Sequence, residues 1–171
     1  MKPVDMVVAA KLVSVSTFGT TYAGLADALG ISASEAHASS KRLVESQLFK
    51  ARPRQAPYPR KQALLEFWVH GLKYVFPAEL GKVTRGIPTS IGAPPLSQEL
   101  RLSEGSRPVW PDSKGTVRGP SLQPIHSSAV KASEDERVYE LLSLLDALRE
   151  GKAREQQLAQ QFLKERLYSW S

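Results

Sequence analysis

The side chains able to do chemistry are few. Cysteine is absent and the histidines are His37, His70 and His126, so thiol catalysis, a thiolate metal site and a disulfide framework are excluded together. Glu66 and His70 stand four residues apart and share a helical face, a spacing that can put a carboxylate and an imidazole on one metal ion. No third ligand lies nearby in the chain, and a surface hydrogen-bonded pair is the reading they support better. No serine sits in a hydrolase motif with a base to activate it. The run GKVTRG from Gly81 lacks the spacing and terminal lysine of a phosphate-binding loop. Thr84-Arg85-Gly86 and Val117-Arg118-Gly119 set an arginine beside a glycine, a combination common in turns, which is thin support for a phosphate role for Arg85 or Arg118. The expectation is a protein that is not an enzyme, with no catalytic residue, no metal and no cofactor.

The densest chemistry is cationic. Residues 50–61, KARPRQAPYPRK, carry Lys50, Arg52, Arg54, Arg60 and Lys61 and no acid. The formal net charge is +6, and residues 1–75 hold ten Lys/Arg against five Asp/Glu, whereas residues 132–171 hold six against eight. A basic excess confined to one end suits an anionic partner, because each phosphate neutralised releases condensed counterions. Just upstream lie Ser32, Ser34, His37, Ala38 and Lys41, whose hydroxyl, imidazole, methyl and ammonium groups can meet base edges or phosphates.

These residues need elements to position them. Thr20 or Thr21 can cap a first helix through Ala23, Leu25, Ala26 and Leu29, which Gly30 ends by accepting the left-handed conformation. Ser32 and Glu35 then have the spacing of a capping box, so a second helix starts about three residues later. Ala36, Ser40, Leu43 and Val44 share its inward side. Glu35 is read as a capping residue in preference to a cytosine reader. Two short strands, around Leu48–Ala51 and Arg60–Gln62, are expected to flank a loop in which Pro53, Pro57 and Pro59 forbid regular structure. Upstream, Pro3 starts a helix along Val4, Val7, Val8, Leu12 and Val15, with residues 14–19 as the link.

The stretch ISASEAHASSKRLVESQLF from Ile31 resembles the recognition segment of winged helix-turn-helix regulators of the broad MarR-like kind, I-S-x-S-x-V-S-x-x-L-x-x-L-x-x-x-G-L-I. Ile31, Ser32, Ser34, Arg42, Leu43 and Leu48 match it; Ala36 stands for the valine, Ser40 for a core leucine, and Gln47 for the turn glycine. The resemblance implies a mainly α fold with a small β-wing. It implies DNA contacts from Ser32, Ser34, His37, Ala38, Lys41 and Arg42 in the major groove, and from Lys50, Arg52, Arg54, Arg60 and Lys61 on phosphate or minor groove. It also implies a homodimer built by C-terminal helices.

The remaining chain is read to fit. Residues 62–75 form a helix too apolar to stand exposed. Residues 76–131 hold eight of the twelve prolines and six of the eleven glycines, and are expected to be a mostly irregular arm, with a short helix at Leu96–Leu102, wrapping its own domain or a second subunit. Ser133 and Glu136 open an amphipathic helix with Leu141, Leu142, Leu145 and Leu148 on one face. Gly151 ends it before a second helix containing Phe162; these five residues are the expected dimerisation face. The organisation expected is a winged helix-turn-helix domain over 1–75, a proline-rich arm over 76–132 and a helical segment over 133–171. The apolar run MVVAAKLVSV is broken by Lys11, so neither a signal peptide nor a membrane span is expected and the location is read as cytoplasmic. The function expected is a sequence-specific, homodimeric DNA-binding transcriptional regulator with double-stranded DNA as partner. The alternative is a protein-interaction adaptor or antitoxin-like partner that uses the same domain as scaffold, with a protein held through the arm.

Overall fold

A computed structural model describes residues 1–15 and 20–170. Helix α1 (Pro3–Ser14) begins on a proline whose missing N–H costs nothing at a first helical turn, and every residue from Val4 to Ser14 except Lys11 is buried. A helix apolar on all sides is stable only when enclosed, and α1 forms part of one continuous apolar core that draws on both ends of the chain. Residues 16–19, most of the expected link, lie outside the described residues.

Helices α2 (Tyr22–Leu29) and α3 (Ala33–Glu45) form as the capping residues dictate. The Thr21 hydroxyl accepts from the Gly24 amide at 3.0 Å, and Gly30 closes α2 at φ 63°. The Ser32 hydroxyl accepts from the Glu35 amide at 3.1 Å, but the Glu35 carboxylate turns to Arg42 instead of back to Ser32. After α3 the chain reverses at Gln47, which takes φ 64°. That left-handed conformation is the one for which the resembling pattern uses glycine, and it costs a side-chain-bearing residue roughly 1–2 kcal/mol.

The first expected strand exists with shifted bounds, whereas the second lies not at Arg60–Gln62 but inside the expected loop. Strand β1 (Phe49–Arg52) pairs antiparallel with β2 (Gln55–Pro59), with Arg52 opposite Gln55 and an irregularity between Lys50 and Arg52. Pro57 and Pro59 therefore lie inside a strand. In a two-stranded sheet β2 has one unpaired edge, where a missing N–H breaks no ladder. Arg60 is instead the N-cap of α4 (Lys61–His70), and α5 (Leu72–Val75) follows the break at Gly71.

The arm is more regular than its prolines suggest. Strands β3 (Val83–Pro88), β4 (Val109–Pro111) and β5 (Val117–Pro120) make an antiparallel sheet in the order β4-β3-β5, with a 3-10 turn at Ser90–Gly92 and a short helix α6 (Leu96–Glu99) between β3 and β4. Each strand is three to six residues long, too short for alternation to show against the prolines and glycines around it. After α7 (Ser128–Ala132) come α8 (Glu136–Glu150) and α9 (Ala153–Ser169). The cap of α8 is Asp135, not Ser133: its carboxylate accepts from the Arg137 and Val138 amides and pairs with Lys11 of α1 at 2.7 Å.

The arm docks on its own chain. Asp146 of α8, wholly buried, accepts from Thr89 Oγ1 and Trp110 Nε1, each at 2.7 Å, and pairs with Arg149 at 2.7 Å. Burial pushes the Asp146 carboxyl up, against the Arg149 charge and these three hydrogen bonds. Ser90 donates to Glu150, and the Tyr139 hydroxyl to the Pro88 carbonyl. Leu141, Leu142, Leu145 and Leu148, expected at a subunit interface, are at most 3% exposed within this single chain; α1 and α9 cover them, so they present nothing to a second subunit. Phe162 is half-buried beneath the Arg166 guanidinium. The fold is mixed α/β, mainly helical with small antiparallel sheets, and none of the described helices is long and apolar enough to cross a membrane.

Candidate nucleic-acid interface

Helix α3 is held against α1 by a buried ionic node. Asp5 is 0% exposed and accepts from the Lys2 amide at 2.7 Å, Ser39 Oγ at 2.7 Å and the Arg42 guanidinium at 2.7–3.1 Å. Arg42 also reaches Glu35 at 2.6 Å. Burial alone pushes the Asp5 carboxyl up, but hydrogen bonds from Arg42, Lys2 and Ser39, together with the Arg42 charge, outweigh it and hold the group below the usual carboxylate range. The hydrogen bond to Asp5 raises Arg42 above its ordinary value. Arg42, expected to touch DNA, is thus consumed inside the protein, because two carboxylates surround it. Ser39 escaped the sequence reading although positions 36, 39, 40 and 43 fall on one helical stripe, the signal that would have found it.

With its inner side fixed, α3 turns His37 and Lys41 outward beside the β1-β2 hairpin. The two elements enclose a cleft of about 210 Å³ bordered by Tyr22, His37, Ser40, Lys41, Arg52 and Gln55, and no acidic residue lines it. Tyr22 and His37 meet edge to face with centroids 5.0 Å apart. Lys41 has a loose exposed partner in Glu45 at 3.8 Å, an attraction weak enough for a competing anion to displace. Arg52 lies over the Tyr58 ring at 4.8 Å, a cation–π contact that orients the guanidinium. The Ser40 hydroxyl is buried at the floor with no hydrogen-bond partner among the described residues.

Of the expected contact residues, the cleft brings together His37, Lys41 and Arg52. Lys50 and Arg54 are exposed on the hairpin, Arg54 at its turn with φ 58°, and Arg60 is exposed at the start of α4. Lys61 is drawn toward α9, 5.5 Å from the Tyr168 ring centroid. Ser32 is occupied as the cap of α3 with Ser34 hydrogen-bonded to it at 3.0 Å, and Ala38 is half-buried. Tyr22 and Gln55 were not anticipated; Gln55 sits within the basic run, while nothing in the sequence marks Tyr22. Glu66 accepts from Gln62 at 2.8 Å, and among the described residues no third ligand joins Glu66 and His70.

An open cleft of this size falls below the range of typical small-molecule pockets. A cationic lining that includes no acidic residue suits a ligand that passes over the surface and carries negative charge. No protein-family model matches the chain, and neither a curated protein nor a solved structure shows significant similarity to it.

Proposed function

We propose that this chain is a DNA-binding transcriptional regulator of the winged helix-turn-helix kind, with α3 as recognition helix in the major groove and the β1-β2 hairpin as a basic wing on phosphate or minor groove. The observation that carries the reading is the acid-free cleft in which His37 and Lys41 of α3 face Arg52 of the hairpin. In this reading Lys41 and His37 address base edges or phosphates, while Lys50, Arg52, Arg54 and Arg60 supply backbone affinity. A homodimer on a pseudo-palindromic site would have to use a surface other than the leucine face of α8.

A mobility-shift titration against the DNA upstream of its own gene, at two salt concentrations, tests this. Arg52→Ala with Arg54→Ala is expected to weaken binding to all sequences and to lower the log–log salt slope by about 1.8, the contribution of two phosphates. Lys41→Ala is expected to change sequence preference. Equal weak binding to every sequence, or none at low salt, would refute the regulator reading. The partner-binding alternative draws on one feature, the exposed apolar run of Tyr74, Val75, Leu80 and Val83, with Tyr74 76% exposed.

A further inference from the structure

The two arginine-glycine dipeptides of the arm, separated by more than thirty positions in the chain, meet in the sheet. Arg85 of β3 stands directly opposite Arg118 of β5 in the antiparallel register, with Thr84 opposite Gly119 and Gly86 opposite Val117. Cross-strand partners of this kind have Cβ atoms about 5 Å apart and project from the same face. Like charges so placed repel, and the pair is not rescued internally: both side chains are exposed, and neither has a hydrogen-bond or ion-pair partner among the described residues. Asp112 donates its amide to the Arg85 carbonyl at 3.1 Å, but its carboxylate accepts from the Lys114 amide at 2.7 Å.

The backbone beneath the pair is fixed. A Cβ on Gly86 would lie 1.9 Å from the Trp110 carbonyl oxygen of β4, and one on Gly119 would lie 1.8 Å from that of Arg107 just before β4, so the backbone is packed closer at both glycines than a side chain allows. The sheet is itself fastened to α8 through Thr89 and Trp110 on Asp146. Two guanidinium forks on a rigid ladder, unpaired and open to solvent, match an oxyanion that can accept from both at once. Val83, 58% exposed, lies on the same face by alternation.

We propose that Arg85 and Arg118 form an anion site for a phosphate group, separate from the α3–hairpin cleft. One phosphate bridging the two forks replaces their mutual repulsion with two charge-assisted contacts. The phosphate can belong to a small free species or to a nucleic-acid backbone, and the proposal does not depend on the regulator reading.

The test follows the arginine Nε–Hε resonances of the full chain while inorganic phosphate is added at constant ionic strength, and in a parallel titration with a short duplex DNA. Arg85→Gln and Arg118→Gln assign the two signals. Joint, saturable movement of both with phosphate supports the site and a free phosphate ligand; movement with duplex only supports the site and a backbone ligand. In either case Arg118→Gln is expected to abolish the response of Arg85, and Arg85→Lys with Arg118→Lys to weaken binding about tenfold, since charge is kept and the fork is lost. Arg52→Ala with Arg54→Ala should leave the phosphate response intact, which separates this site from the cleft. Linear drift of both signals in both titrations, no larger than that of exposed Arg101, would overturn the proposal.

Discussion

Asp5 and Arg42 show how one residue pair decides what α3 can offer. With Asp5 fully buried, Arg42→Ala leaves a carboxylate without its countercharge, and a loss of about 3–5 kcal/mol in urea unfolding is expected. The sign of the pH effect follows from the direction of the shift. A carboxyl held below its usual range contributes stability that is present above the unfolded value and disappears as pH falls toward the folded one. Asp5→Asn should therefore flatten the acid limb of the stability profile relative to the native protein, measured as unfolding midpoint between neutral and acid pH. Ser40 and Gln47 make the opposite case. The Ser40 hydroxyl is buried and unpartnered, so Ser40→Ala is expected to be neutral or stabilising by up to about 1 kcal/mol. Gln47→Gly relieves a left-handed side chain and is expected to stabilise by about 1 kcal/mol. Both are read as shifts in thermal midpoint.

At the level of elements, the three-stranded sheet is attached to α8 by a few polar contacts at Asp146. Trp110→Phe keeps an aromatic ring but removes part of the buried indole and with it one donor to a buried carboxylate, and the lost hydrogen bond alone is expected to cost about 1.5–3 kcal/mol. The loss should appear in hydrogen exchange as faster opening of β3 and β4 while α1 keeps its protection. The same elements mark what could be read from sequence. α2 and α3 were legible because Thr21, Gly30 and Ser32 signal their ends through local hydrogen bonds, and α8 because its leucines repeat at helical spacing. The hairpin was half legible: its basic run was evident, but Pro57 and Pro59 hid a strand that only an unpaired edge permits. β3, β4 and β5 were hidden because pairing between strands more than twenty residues apart in the chain leaves no local trace. The candidate site divides the same way. His37, Lys41 and Arg52 follow from helix phase and charge, whereas the capture of Arg42 by Asp5 is a contact 37 residues apart.

Taken whole, the molecule is organised as one core that joins its first helix to its last two. The leucines of α8 are core residues, so Leu145→Ala is expected to cost about 2–5 kcal/mol as a cavity. Its unfolding midpoint should be independent of protein concentration; a midpoint that rose with concentration would restore α8 to a subunit interface. Enclosure of α1 has a further consequence during synthesis. Lys11 finds Asp135 across 124 residues, and the leucines that cover α1 come later still. On the ribosome α1, almost all of it buried in the folded chain, therefore emerges long before α8 completes its cover, which exposes nascent chains to sticking and gives chaperones a reason to attend them. Chains halted before α8 should partition into aggregates, however intact their α2–α3 pair.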